Sequence, residues 1–320
     1  MRGRLVLLAL GLATFFASCA ILYQQIRYRR LAADVAWLDD RRFEGLALIA
    51  VGTGAAYENP RRLGPVSAVG YGSRIVLVDA GRAVAEALRA CSIRPSQPDT
   101  VLLTSLLPEN TVGLDDLLYT GWLSDRRSPL RLIGPPGTHA LADALAAAHA
   151  AGSAAEGGAL GLAPEGARFE VLEAGDGFSE ERDGLRIRAG ATGTLPLPSL
   201  AWRFEAGGRV LVVSGSGADP EPLGRFAAGS GLLATEGFFR DSVEAAIQAG
   251  SGDAERLRRE ADLHLSLPHA GEAAVRAGVP LLVLTRLRPP PLFDAQYRTA
   301  AGADYRGTIE VAHDCSEFGG

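Results

Sequence analysis

Lysine is absent from this 320-residue chain, and every basic side chain is arginine, set among abundant alanine and glycine. That pattern is expected from a GC-rich coding bias, so arginine at any one position says little about mechanism. A basic excess is missing as well. With a formal net charge of −5, the composition gives no reason to expect nucleic acid as a partner, because phosphate-binding surfaces usually carry a positive surplus. Cysteine is scarce: Cys19, Cys91 and Cys315 are far apart and form no C-x-x-C zinc spacing. Cys91 and Cys315 could pair only if the fold brought them together, and two unpaired small apolar side chains is the favoured reading. What is present in quantity is ordinary for a globular protein: 47% apolar and 22% charged residues, in a chain long enough for one large domain or two small ones.

The first long hydrophobic run, residues 5–23, contains no charge. As a helix it would be about 28 Å long, close to the hydrocarbon thickness of a bilayer. Arg2 and Arg4 precede it and Arg27, Arg29 and Arg30 follow, so the positive-inside rule leaves its orientation open. The expectation is an uncleaved membrane anchor at the bacterial inner membrane, with the rest of the chain in the periplasm. A cleaved signal peptide, or a lipoprotein processed at Cys19, is the alternative.

Residues 1–25 are thus read as the anchor, 26–44 as a connector with Leu31, Val35, Ala36 and Leu38 at helical spacing, and 45–320 as one domain. Within that domain, runs rich in Val, Leu and Ile at 46–51, 75–78, 101–104, 210–214 and 281–285 predict core strands, punctuated by Gly and Pro turns and alternating with helical stretches. The Gly/Ala segment 152–166 reads as a mobile loop near the mouth of a cleft. Two sheets packed face to face with helices outside, an α/β architecture, follow from this alternation.

Several landmarks occur in a telling order: Gly52-Thr53-Gly54, Val78-Asp79-Ala80-Gly81, Leu103-Thr104, Gly113-Leu114, Gly134-Pro135-Pro136-Gly137, Ala201-Trp202-Arg203-Phe204, Ser214-Gly215 and Leu284-Thr285. Over about residues 45–300 this series resembles the metallo-β-lactamase fold, in particular its ribonuclease Z and arylsulfatase branch. The resemblance implies an αββα sandwich, here behind a transmembrane helix, and a hydrolase centre with two zinc ions. It also implies where the zinc ligands should fall. The H-x-H-x-D-H loop reads Ser105, Leu107, Glu109 and Asn110; the next histidine falls on Gly193, the S-G-D aspartate on Ser216 and the L-T-H histidine on Arg286. No member of this set keeps the family residue. Zinc requires three or four N, S or O donors and, for hydrolysis, an open position for water. Leu107 and Gly193 offer no donor, and Arg286 places a fixed positive charge where a dication would sit.

Glu236 and His264 match an acidic and a histidine position of the family, while Thr235 replaces the histidine beside Glu236. The expectation is therefore a membrane-anchored, non-catalytic protein of this fold that binds or scaffolds, without a cofactor. It would take a small molecule or an active relative in its old cleft, and no nucleic acid. The alternative is a hydrolase of an ester or phosphoester that uses His264 and Glu236. Arg286 is expected to turn into the cleft and pair with Glu109, Glu236 or Asp79 in place of zinc. Other groupings are weaker: His269 with Glu272 at a helix start, His139 with His149 across a helix, the tail trio His313-Asp314-Cys315, and Ser214-Gly215-Ser216-Gly217, which lacks the lysine of a phosphate loop.

Overall fold

The computed structural model describes residues 2–34, 38–56, 59, 61–193, 197–250 and 253–319. It falls into two compact units, residues 1–39 and 40–320. The first contains one helix, α1 (Arg2–Asp34), 33 residues long. It runs unbroken from the apolar stretch into the basic stretch that was read as a separate connector; Val35 and Ala36 of that connector lie outside the described residues. Among the described residues no helix is long and apolar enough to cross a membrane. The expected transmembrane anchor is corrected on that finding, and with it the membrane partner and the inner-membrane, periplasmic placement. The reason is apolarity over length: α1 is long, but no described stretch of it is apolar enough over a bilayer's thickness.

The second unit contains two seven-stranded sheets. The first is built from β1 (Phe43–Gly52), β2 (Val66–Gly72), β3 (Arg74–Val78), β4 (Thr100–Leu102), β5 (Leu130–Gly134), β6 (Phe169–Glu173) and β14 (Ser316–Phe318). Their order is β14-β1-β2-β3-β4-β5-β6. The second is built from β7 (Ser179–Arg182), β8 (Leu185–Gly193), β9 (Ser199–Ala206), β10 (Arg209–Ser214), β11 (Leu232–Phe238), β12 (Leu281–Arg288) and β13 (Thr308–Val311), in the order β13-β12-β11-β10-β9-β8-β7. Each sheet mixes an antiparallel hairpin half with a parallel half, the latter fed by crossover helices.

Side-chain alternation explains the layers. On β1, Leu46, Leu48 and Ala50 point between the sheets, where they meet Val76, Val78, Trp202, Phe204 and Val213. Ala47, Ile49 and Val51 point outward against α2 (Val84–Ala90) and α4 (Leu114–Leu123). A strand buried on both faces reads as a continuous apolar run, which is why these strands were legible. On the second sheet, Val212, Leu233, Leu282 and Leu284 pack outward under α6 (Pro220–Phe226), α9 (Leu267–Ala277) and α10 (Asp294–Ala301). Among the described residues four further helices complete the unit: α3 (Pro108–Thr111), α5 (Thr138–Leu160), α7 (Arg240–Gln248) and α8 (Ala254–Asp262).

Two expectations about local structure are overturned. The segment 152–166 is not a loop: most of it continues α5 (Thr138–Leu160), and a 3-10 turn, Pro164–Ala167, follows. Alanine is the best helix former, and its many copies here outweigh the glycine penalty. Gly157 moreover has a packing role, since a Cβ there would lie 2.8 Å from the ring of Trp122. Cys91 and Cys315 are not free thiols but form a disulfide across 224 residues of sequence. Helix α2 delivers Cys91, and the turn before β14 delivers Cys315 through a backbone hydrogen bond to Ala50. Because the bridge closes so long a loop, it restricts the unfolded chain strongly. Replacing both cysteines by serine is expected to lower unfolding stability by about 2–4 kcal/mol. Denaturant titration of the variant against the oxidised protein checks this, and identical midpoints would count against it.

Candidate functional site

The loops after β3, β4, β8, β10, β11 and β12 converge at one end of the sandwich, as the strand order requires. Asp79, at the end of β3, is fully buried with φ 62°. Its two oxygens accept the Thr104 backbone N–H and the Thr104 hydroxyl, each at 2.7 Å. Arg286, in β12, is buried with φ 49°. It points into the centre, where its guanidinium donates to Asp79 and, at 2.7 Å, to Asn110 Oδ1. The Asn110 amide nitrogen in turn donates to Ser105 Oγ at 2.8 Å. Complete burial pushes the Asp79 carboxyl above the usual carboxylate range, against the pull of Arg286 and Thr104.

A second cluster adjoins the first. Glu109 accepts the Ser216 hydroxyl at 2.7 Å and the Arg288 guanidinium at 2.6 Å. Arg288 also donates to Glu260 at 3.1 Å and to His264 Nε2 at 2.5 Å. On the other side of the ring, His264 Nδ1 lies 2.9 Å from Glu236 Oε2. Glu236 is itself held by the backbone N–H groups of Gly217 and Leu265, at 2.6 and 2.8 Å. The imidazole stacks on Phe238 with ring centroids 5.5 Å apart. It lines a polar cavity of about 300 Å³, together with Asp219, Arg240, Asp262, Ser266 and His269.

The structure thus brings together Ser105, Glu109, Asn110, Ser216, Glu236, His264 and Arg286. Leu107 caps the start of α3 and supplies no donor. Gly193 is pressed against the loop after β10: a Cβ there would lie 2.1 Å from the Gly217 carbonyl oxygen, so no side chain fits without backbone movement. Thr235 shares a hydrogen bond with Ser214 at 2.7 Å. Apart from His269, which lines the cavity beside His264, the other sequence candidates do not assemble there. His149 pairs with Asp115 at 3.1 Å, Glu272 pairs with Arg276, and the His139 backbone N–H donates to Glu173. Asp314 is structural, accepting from Thr53 and Leu63, while Cys315 is in the disulfide. Arg288 was missed. The available signal was the Arg-x-Arg spacing of 286 and 288 at the end of a core strand.

Burial works to raise the Glu109 carboxyl, but the Arg288 charge and the Ser216 hydroxyl outweigh it and hold it below the ordinary value of 4.5. A depressed carboxylate contributes stability that is present above its unfolded pKa and lost as pH falls through the folded one. Stability is therefore expected to fall below about pH 4.5, less steeply in Glu109→Gln. Parallel pH–melting curves for the two proteins check this; superimposable acid limbs would contradict it.

The layers and the convergent loops define a metallo-β-lactamase-fold protein. By structure it is similar to the metallo-β-lactamase fold protein YhfI from Bacillus subtilis (TM-score 0.67, 17% identity, 86% of this chain and 99% of that one). It is also similar to the short form of human tRNase Z (TM-score 0.62, 17% identity, 85% and 98%) and to Zn²⁺-bound PqqB from Methylobacterium extorquens (TM-score 0.60, 16% identity, 85% and 99%). No family model matches the sequence. Curated relatives named Ribonuclease Z do. One from Mycobacterium sp. (strain KMS) is 33% identical over 272 residues, covering 82% of this chain and 92% of its own length. Another, from Mycobacterium marinum, is 31% identical over 278 residues, covering 84% and 96%. The chain belongs to the ribonuclease Z family.

That membership corrects four expectations. A non-catalytic binding or scaffold protein is not what a chain with relatives of this name and coverage supports; a hydrolase is. The expectation that the chain is not an enzyme falls for the same reason. The exclusion of nucleic acid falls too: it rested on net charge, which sums the whole surface and does not describe any one site on it. The expectation of no cofactor is not kept either, given relatives of this name over most of the chain.

Whether these particular residues fit zinc is decided by their donors. At the centre the guanidinium of Arg286 meets Asp79, the Asn110 and Ser105 side chains satisfy one another, and Gly193 has no room for a ligand. Among the described residues no three His, Cys, Asp or Glu side chains are grouped to hold a metal. The donor set does not fit a zinc pair.

Proposed function

We propose that this chain is a phosphoester hydrolase of the ribonuclease Z family, acting on a phosphodiester such as an RNA linkage, with His264 as its acid–base group. The observation that carries this reading is the bracketing of His264 between Glu236 and Arg288. A guanidinium can only donate, so Nε2 is the acceptor and the proton sits on Nδ1, facing Glu236. Glu236, anchored by two backbone donors, fixes the ring and stabilises the positive charge that arises when Nε2 takes a proton. It acts as a positioning residue.

Arg288 supplies the link to substrate. A phosphate oxyanion competes with Glu109, Glu260 and His264 for its N–H groups. As Arg288 turns to the phosphate, Nε2 is released to take a proton from water. The water oxygen then bonds to phosphorus, the bond to the leaving oxygen breaks, and the proton on Nε2 passes to that oxygen. Support comes from the relatives' name, from the geometry, and from the polar cavity beside His264.

The test is turnover of bis(4-nitrophenyl) phosphate and of a short RNA by the full chain, with chelator and, separately, with added zinc. Hydrolysis under at least one of the two conditions is the expected result. No hydrolysis under either would overturn the proposal.

A further inference from the structure

A second pocket, of about 440 Å³, is lined by Arg288, which donates to His264, and by Phe238, on which His264 stacks. Its walls are mostly apolar: Phe238, Val243, Leu257, Leu287, Pro289 and Pro290. Helices α7 and α8 form one side, held together by Val243, Ala261, Ile247 and Leu257 over Phe238. The volume is that of a site for a small organic group rather than for one or two waters. Three charged side chains sit at its polar end: Arg288, Arg256 and Glu260, the last accepting from Arg288 at 3.1 Å. Arg288 is shared with the cluster around His264, and Arg256 is exposed with no ion-pair partner among the described residues. Phe238 ties the two sites together, since it lines this pocket and also stacks against His264.

An apolar chamber whose rim has two arginines against one glutamate, next to an acid–base histidine, has a specific chemical meaning. It suits a ligand with a hydrophobic body and one anionic group, the anion facing Arg288 and Arg256 and the body buried among the prolines, Phe238 and the helix pair. We infer that this pocket takes the apolar organic group, aromatic or branched aliphatic, attached to the phosphate on which His264 acts. The inference rests on the phosphoester reading above and adds the class of group that reading leaves open.

Calorimetric titration of the full chain with 2-naphthyl phosphate and with inorganic phosphate tests it. The naphthyl ester is expected to bind at least about 10-fold more tightly, as burial of a bicyclic ring implies. Ala246→Phe, which fills the pocket from α7 without removing a core side chain, is expected to abolish that advantage and leave inorganic phosphate binding unchanged; Ser242→Leu, on the same helix, serves if the first variant does not fold. Equal affinity for both phosphates in the unaltered protein, or an advantage that survives either filling variant, would overturn the pocket assignment while leaving the phosphate site standing. Failure of both phosphates to bind would remove the phosphate site and the pocket assignment together.

Discussion

Arg286→Ala is expected to lower unfolding stability by about 3–5 kcal/mol, the usual cost of breaking a buried ion pair from one side. The size follows from what the substitution leaves behind. Asp79 is fully buried, and Arg286 is its charged partner; Thr104 supplies two donors but no charge. Removing the guanidinium strands a carboxylate that burial already disfavours, and takes away the donor that Asn110 Oδ1 accepts. Asp79→Asn with Arg286→Met, which replaces both partners, should recover part of the loss, because the penalty belongs to the unpaired charge rather than to absence of the pair. Urea titration of the single and double variants measures it. A melting temperature unchanged in Arg286→Ala would show that the pair does not hold the centre. Histidine at 286 should not restore zinc binding by itself, since Gly193, Leu107 and Ser216 still supply no adequate donors.

The second large effect is on catalysis. His264→Ala should reduce kcat/KM for a phosphodiester by about 10²–10⁴-fold, the range associated with loss of a general acid–base group. The variant should lose some stability but stay folded, because the buried ring borders a cavity and its loss leaves Glu236 with two backbone donors. Added imidazole should restore part of the rate, since the 300 Å³ cavity beside the ring can admit it. Glu236→Gln should act more mildly on kcat and shift the pH profile, because Glu236 works through His264. An alanine variant with wild-type turnover, or one that imidazole does not rescue although it is folded, would remove His264 from the reaction.

The charged cluster also shows how an arginine can stand where a fold usually has donors for a dication. Arg286 gives the centre one positive charge on a rigid planar head with five donors, and Asp79, Asn110 and the hydrogen-bonded Ser105 form around it a connected network. Both Asp79 and Arg286 have positive φ, a conformation that costs non-glycine residues about 1–3 kcal/mol and persists only where the surroundings hold it. Here the ion pair and the Thr104 donors do so.

The sequence by itself determined the sandwich. Strands buried on both faces, such as β1, β3, β4 and β12, require unbroken runs of Val, Leu, Ile and Ala, and the turns between them require Gly and Pro, so local composition records the layers directly. It also determined which side chains stand at the centre, because the landmarks flanking Ser105, Glu109, Asn110, Ser216 and Arg286 keep their order. Only the tertiary structure decided what those side chains do to one another. Cys91 and Cys315 are 224 residues apart, and no local pattern reports a meeting at that distance. Arg288 is an ordinary strand-end arginine until the loop after β4 brings Glu109 to it and the segment before α9 brings His264. Helix α5 extends through glycines that composition assigns to a loop, because the helix is stabilised by alanine and by close packing on Trp122. Chain-wide sums such as a net charge of −5 misdirect for the same reason: function at this centre depends on which charges are adjacent, and adjacency is set by packing between distant segments.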